Sequence, residues 1–196
     1  MNIALTKPPR NWDPVVKLTH WSIVAAVLAN GALTEGGSWP HIWVGYALAG
    51  MLALRLLWGL VGPSEARFSA FPPSLSRALI HIREIRAGKV RDQPSHNPLG
   101  ALMVYAIWGT LGIIIASGIA MAGLPPRAVT HEHYAVEQVA AHDDDEREGE
   151  ESPLGETHEA AVNLLYVLIV LHLGGVIFET RRSGRGLVLA MLPGRR

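Results

Sequence analysis

Residues 158–179 read HEAAVNLLYVLIVLHLGGVIFE, an apolar stretch with one histidine at its first position and a second at position 172. Its length is close to the ~20 apolar residues that an α-helix needs to cross the hydrocarbon core of a bilayer. His158 and His172 lie fourteen residues apart, which in a helix is a rise of roughly 21 Å and nearly four full turns. We therefore expect both imidazoles on one face of a membrane-spanning helix, near opposite sides of the bilayer.

Three further apolar stretches of similar length precede this one. The predicted spans cover residues 15–33, 41–61, 99–124 and 160–178 of the 196-residue chain. Each is longer than a typical buried strand, and a helix satisfies its own backbone hydrogen bonds within lipid. One such stretch could be a buried core helix, but four separated by polar loops favour a membrane protein. The predicted fold class is all-α, an integral membrane four-helix bundle that forms a single domain over residues 1–196.

Basic residues are unevenly distributed among the segments between the spans. They are frequent before span one, after span two and after span four, and scarce in the other two loops. The positive-inside rule then places both termini in the cytoplasm. Residues 1–10 lack the charged-then-apolar layout of a cleaved signal peptide, so we expect the first span to remain in the mature protein.

The chain contains no cysteine, and its formal net charge is zero. The lack of cysteine excludes disulfides, zinc–thiolate sites, iron–sulfur clusters and covalent haem attachment. Any metal must be held by histidine, by carboxylate or within a noncovalent cofactor. We expect no nucleic-acid partner.

Two other histidines lie near the ends of other spans. With the N-terminus inside, His20 is on the cytoplasmic side of span one, and His41 opens span two on the outer side. Depth then pairs His41 with His158 and His20 with His172, because the other pairings need ligands roughly 20 Å apart in height. Ionisable residues inside spans are costly and indicate function. Two histidines at each of two depths predict two noncovalent b haems with bis-imidazole ligation, unless each histidine is merely interfacial or hydrogen-bonded.

Three weaker features lie at the predicted cytoplasmic side. Arg55 follows His41 by fourteen residues, so it shares that face and either pairs with haem propionates or extends towards the cytoplasm. His81 lies in the basic loop after span two, where we expect it to be solvated. Residues 186–192 are too short for a fifth span, and we expect them on the cytoplasmic surface.

The outer loop between spans three and four, residues 125–157, has the most polar composition of the chain. Eleven acidic residues lie between positions 132 and 159, together with His131, His133 and His142. This composition favours local disorder. The acidic patch would attract a cationic periplasmic electron carrier, although a solvated linker is the alternative, and the three histidines could bind a divalent cation.

The same residues resemble those of the prokaryotic cytochrome b561 family, which includes the b-type cytochrome subunits of nickel–iron hydrogenases. The matching stretches are WDPVVKLTHW (12–21), HIWVGYALAGMLALRLLWGLVGPSEARF (41–68), SHNPLGALMVYAIWG (95–109) and HEAAVNLLYVLIVLHLGGVIFE (158–179). The resemblance implies a four-helix bundle that holds two b haems in the bacterial inner membrane and passes electrons between a quinone pool and a partner protein. It also implies axial haem ligation by His20, His41, His158 and His172.

The resulting prediction is a transmembrane dihaem cytochrome b that transfers electrons between the quinone pool and a periplasmic partner, such as a c-type cytochrome or an oxidoreductase subunit. One alternative is a self-contained quinone-coupled oxidoreductase, for example one that acts on superoxide, but the acidic outer loop does not favour it. A second alternative is a hydrogenase cytochrome b subunit. Those proteins tend to carry extra membrane or tail sequence that is not found here, which disfavours this alternative. A haem-free divalent-metal transporter is disfavoured because the predicted spans contain no carboxylate.

Overall fold

The computed structural model describes residues 13–88, 97–123, 152–184 and 186–191. Within these ranges the chain forms helices and no strand. Four helices are long and apolar enough to cross a membrane, which confirms the predicted all-α four-helix membrane bundle. In chain order the helices are α1 (Pro14–Ala32), α2 (Trp39–Val61), α3 (Leu75–Arg86), α4 (Pro98–Ala122), α5 (Pro153–Ser183) and α6 (Gly186–Met191), with short 3₁₀ turns at Ser64–Ala66 and Phe68–Ala70.

Each of the four long helices begins at a polar capping residue with a proline in the first two helical positions. The caps are Asp13, Ser38, Asn97 and Ser152, and each side chain accepts a hydrogen bond from a backbone N–H of the first turn. Such caps satisfy amide groups that a helix leaves unpaired, while proline has no N–H to lose there and already has a helical φ. Caps and prolines therefore determine where the spans begin.

The fourth long helix extends beyond its predicted span. The sequence predicts a span over 160–178 and a loop over 125–157, whereas α5 begins at Pro153 and ends at Ser183. Ser152 Oγ accepts a hydrogen bond of 3.2 Å from the N–H of Gly155. The predicted loop is thus wrong for residues 153–157, and so is the predicted disorder from residue 152 onwards, because cap and proline outweigh the acidic composition. The remainder of the acidic loop, with His131, His133 and His142, lies outside the described residues.

The long helices pack as two pairs. Helix α1 packs on α2, α4 packs on α5, and a smaller contact between α2 and α4 joins the pairs. Within the described chain, close backbone contacts are few or absent between α5 and either α1 or α2. The buried cluster of Leu48, Leu52, Leu111 and Leu165 joins α2, α4 and α5, while many large apolar side chains elsewhere are exposed. A soluble monomer rarely exposes so much apolar surface, and lipid would cover it here.

An aromatic cluster closes the end of the bundle where α2 ends and α4 begins. The rings of Phe68, Phe71, Tyr105 and Trp108 all contact one another, with centroids 5.8–6.5 Å apart. A Cβ at Gly59 would lie 2.5 Å from the Phe68 ring, so only glycine lets this ring rest against α2. The cluster fixes the segment after α2 to the bundle.

Helix α3 buries a histidine that the sequence predicts to be solvated. His81 is 3% exposed, and neither ring nitrogen has a hydrogen-bond partner among the described residues. The Glu84 carboxylate lies 3.8 Å from its Nδ1. The expectation of solvation is wrong because His81 and the buried Ala78 share the face of α3 that packs against α4.

Helix α6 covers part of the same end of the bundle. It packs against α5, and its last residue, Met191, accepts through its carbonyl oxygen a hydrogen bond of 2.9 Å from Trp21 Nε1. The segment is too short to span a membrane, as the sequence predicts, and it is tied to the start of α1.

Candidate functional site

His41 on α2 and His158 on α5 face each other across the bundle. Their ring centroids lie 6.4 Å apart, and the ring planes are inclined by 60°. Two imidazoles bound to opposite sides of one metal ion would have centroids about 6.2 Å apart, given a metal–nitrogen bond of about 2.0 Å and about 1.1 Å from nitrogen to ring centre. The observed separation of 6.4 Å is close to this value.

A serine on the neighbouring helix holds the His158 ring. Ser117 Oγ lies 3.0 Å from His158 Nδ1 and 2.8 Å from the carbonyl oxygen of Ile113, to which it donates. Because its one proton is used there, the hydroxyl accepts the Nδ1–H of His158. These contacts assign the proton to Nδ1 and leave the Nε2 lone pair for a metal.

A similar arrangement holds His41. Thr34 Oγ1 lies 3.3 Å from His41 Nδ1 and 3.2 Å from Asn30 Oδ1, which can take the hydroxyl proton. Asn30 Nδ2 in turn donates to the carbonyl oxygen of His41 at 3.0 Å. Asn30 near the end of α1 and Thr34 just after it therefore hold the backbone and the ring of His41, and among the described residues no hydrogen bond engages its Nε2.

A cleft with about 780 Å³ of empty space opens beside these two histidines and is lined by all four long helices. Apart from the two histidines, Asn30, Tyr46 and Tyr166, its lining is apolar or glycine. A Cβ at Gly118 would lie 3.3 Å from the His158 ring, and one at Gly31 would lie 2.6 Å from the Tyr166 hydroxyl. An apolar cleft with a few convergent polar groups is typical of a cofactor site, and here it suits a flat macrocycle ligated from both faces.

The second predicted pair lies at the other end of the bundle. His20 on α1 and His172 on α5 are both partly buried and close enough to interact electrostatically. The Trp21 indole meets the His20 ring edge-on, with centroids 5.4 Å apart. Helices α1 and α5 make few or no close backbone contacts within the described chain, so the backbones that carry these two side chains stand apart.

The structure thus brings His41 and His158 together, and it places His20 and His172 within electrostatic range of each other at the other end of the bundle. His158 and His172 both belong to α5, and their separation of roughly 21 Å along this helix puts one pair at each end. Their role as metal ligands stays a prediction.

One interpretation of the sequence has Arg55 extending towards the cytoplasm. The structure instead buries the Arg55 side chain. It is 5% exposed, and its guanidinium lies 4.9 Å from the centre of the Trp108 ring. Nη1 and Nη2 both donate to the carbonyl oxygen of Ala66 at 3.4 Å, and the Asp13 carboxylate interacts with it electrostatically. Asp13 also caps α1 and accepts a hydrogen bond of 2.9 Å from Trp58 Nε1. Pairing of Arg55 with a propionate stays a prediction.

Sequence analysis does not identify Ser117, Thr34 and Asn30 as site residues. The available signal for Ser117 and Asn30 is a polar side chain inside an apolar span, which needs a local acceptor or a functional partner; Thr34 lies just after α1 and carries no such signal. In the part of the chain that the structure describes, no cluster of three or more histidine, cysteine or acidic side chains could hold a bare metal ion. The paired histidines are therefore the candidate ligands there.

Comparison with known proteins gives one match. A family model described as prokaryotic cytochrome b561 matches residues 11–194, which is most of the chain. No curated protein and no solved structure gives a significant match.

Proposed function

The chain belongs to the prokaryotic cytochrome b561 family, and from this premise we propose that it binds two noncovalent b haems and transfers electrons between the quinone pool and a periplasmic partner. Membership makes it a transmembrane b-type cytochrome of electron transfer. The number of haems, the quinone and the partner are the steps that we propose beyond it.

The observation that carries this proposal is the His41–His158 pair. Its centroid separation of 6.4 Å, its position beside an apolar cleft and the engagement of both Nδ1 atoms by hydroxyls all support ligation through Nε2. Haem supplies a one-electron iron couple, and two imidazole ligands leave no open coordination position, which suits electron transfer. The apolar walls of the cleft exclude water, and Ser117 and Thr34 orient the two rings.

The second haem is assigned to the His20–His172 pair. Three features support it: both residues are partly buried, they interact electrostatically, and their helices leave space between them. We assign Arg55, which is buried at this end of α2 and forms no ion pair with a carboxylate among the described residues, to the stabilisation of negative charge on that haem. A desolvated cation has this effect because few waters screen it.

We place the His20–His172 end in the cytoplasm, both termini included, and the protein in the bacterial inner membrane. The described basic residues near the membrane surfaces all lie at this end, namely Lys17, Arg67, Arg77, Arg83, Arg86, Arg181 and Arg182. The described residues at the other end include Glu35, Glu156 and Glu159 but no lysine or arginine. The positive-inside rule supports this orientation, and it puts the His41–His158 pair next to a periplasmic partner.

The purified full-length protein tests the proposal directly. Acid–acetone extraction followed by a pyridine haemochrome assay should recover two extractable b haems per chain, and the reduced-minus-oxidised spectrum should show six-coordinate, low-spin haem. One haem per chain, or haem that resists extraction, contradicts the proposal.

A further inference from the structure

Helix α3 lies at a membrane surface because of the chain topology. The membrane-spanning α2 ends at Val61, and the membrane-spanning α4 begins at Pro98. The segment between them therefore starts and finishes at the same end of the bundle. Within it, α3 packs against α4, so its outer face meets whatever surrounds the bundle at that level.

This outer face is apolar. Ala78 and His81 are buried on the inner face, whereas Leu75, Leu79 and Ile80 are 73%, 58% and 51% exposed. A short helix with one strongly apolar exposed side is typical of segments that lie in the plane of a membrane interface. Continuity with the lipid-facing bundle places acyl chains, rather than water, against these side chains.

The same face carries positive charge. Arg86 follows Leu75 and Leu79 at helical spacing, Arg83 follows Leu79 by one turn, and both arginines are exposed. The acidic residue of α3, Glu84, lies 3.8 Å from His81 Nδ1 on the other side of the helix. Long arginine side chains can rest on apolar surface and carry the guanidinium to the headgroups, where it binds phosphate through two parallel hydrogen bonds.

We propose that the exposed face of α3 is a binding site for anionic phospholipid, with Leu75, Leu79 and Ile80 among the acyl chains and Arg83 and Arg86 on the headgroup phosphates. The site depends on the membrane bundle and not on the haems. It anchors the connection between α2 and α4 to one leaflet.

Hydrogen–deuterium exchange tests the site on the full chain in lipid nanodiscs. One set contains phosphatidylcholine alone, and the other contains phosphatidylcholine with phosphatidylglycerol. Amides of residues 75–86 should exchange more slowly in the anionic discs, and high salt should remove the difference. With each arginine worth about fivefold at an anionic surface, the two together should slow exchange roughly 25-fold.

The Arg83→Gln/Arg86→Gln variant should lose this difference, while Arg83→Lys/Arg86→Lys should keep most of it. Arg181→Gln is the matched control, since Arg181 is an exposed cation on α5, and it should leave the difference unchanged. Equal exchange of the wild-type protein in the two lipid mixtures overturns the proposal. A protein partner would then be the occupant of the exposed face of α3. Slowing that survives the double glutamine variant also overturns the proposal.

Discussion

Ser117 Oγ on α4 lies 3.0 Å from Nδ1 of His158 on α5, so one serine fixes both the tautomer and the orientation of this imidazole. The serine is itself held in α4 by its hydrogen bond to the carbonyl oxygen of Ile113. A hydrogen bond accepted from Nδ1–H raises the basicity of the imidazole as a metal ligand. A more basic ligand stabilises the oxidised iron more than the reduced iron, which gives Ser117 a measurable effect on a redox potential.

Ser117→Ala should raise the potential of the haem at the His41–His158 pair. Loss of one hydrogen bond of about 0.5–1.5 kcal/mol corresponds to about 20–60 mV for a one-electron couple. A potentiometric titration followed in the visible spectrum measures it. Ser117→Thr keeps a hydroxyl and should have the wild-type potential. If Ser117→Ala shifts the potential of the His20–His172 haem instead, the contact with His158 is not the cause.

Substitution of single histidines should separate the two haems. His41→Ala or His158→Ala should remove or shift one of two redox waves, and His20→Ala or His172→Ala should remove or shift the other, because the two pairs lie at opposite ends of α5. His81→Gln is the control, since this histidine belongs to neither pair, and it should retain both waves. The pairing is wrong if His20→Ala and His158→Ala affect the same wave.

The spans and the histidine pairs could be predicted from the sequence because depth along a helix grows linearly with residue number. The fourteen-residue spacing of His158 and His172 therefore needs no tertiary information. The rotation of one helix against another is different, because it depends on side-chain packing over the whole interface. For this reason Ser117, forty-one positions from His158, was not identifiable as its partner.

Two wrong predictions had local causes. Ser152 and Pro153 form a cap with a proline at the first helical position, which is the signal for a helix start. Because the neighbouring residues are acidic, the sequence interpretation gave this signal too little weight, and the predicted span begins too late. The basic composition of its segment predicts an exposed His81 side chain. However, Ala78, three positions earlier, marks the inward face of an amphipathic helix.

Gly118→Val should reduce binding of the haem at the His41–His158 pair. A Cβ at this position would already lie 3.3 Å from the His158 ring, so a branched side chain must displace the imidazole. Gly112→Val is the matched control on the same helix, because its Cβ meets nothing within 4 Å and its cost in helix propensity is the same. A pyridine haemochrome assay combined with a redox titration should show loss of one haem in the first variant and of none in the second. Equal haem content in the two variants would mean that Gly118 does not shape the site.

Arg55→Gln should lower the potential of the haem at the His20–His172 pair. A buried cation favours the more electron-rich form of a nearby group, so its removal makes reduction harder. A tenfold change in that equilibrium corresponds to about 59 mV, and we expect a shift of this order. Arg55→Lys keeps the charge but loses the paired hydrogen bonds to Ala66, and it should recover most of the potential. A shift confined to the redox wave of the His41–His158 haem would contradict the assignment of Arg55 to the His20–His172 haem.

The acidic segment between Asp143 and Glu151 lies outside the described residues, and its predicted role rests on sequence and orientation. It precedes α5 in sequence, and the second turn of α5 carries His158, so in the proposed orientation we expect the segment on the periplasmic side, near the haem of the His41–His158 pair. Negative charge there would raise the encounter rate with a cationic electron carrier. Electron transfer to a basic c-type cytochrome should then slow steeply with added salt, because the Debye length shrinks to ~3 Å at 1 M.

Deletion of residues 143–151 should remove most of this salt dependence and leave haem content unchanged. Stopped-flow reduction of the c-type cytochrome over a series of ionic strengths measures the slope, and a haemochrome assay on the same preparation verifies that the haem site is intact. A matched variant with the seven acidic residues between 143 and 151 changed to their amides keeps the loop length and should behave as the deletion does. If the amide variant retains the wild-type slope while the deletion loses it, loop length rather than charge controls the encounter. If both retain it, the segment is a solvated linker and the carrier docks elsewhere.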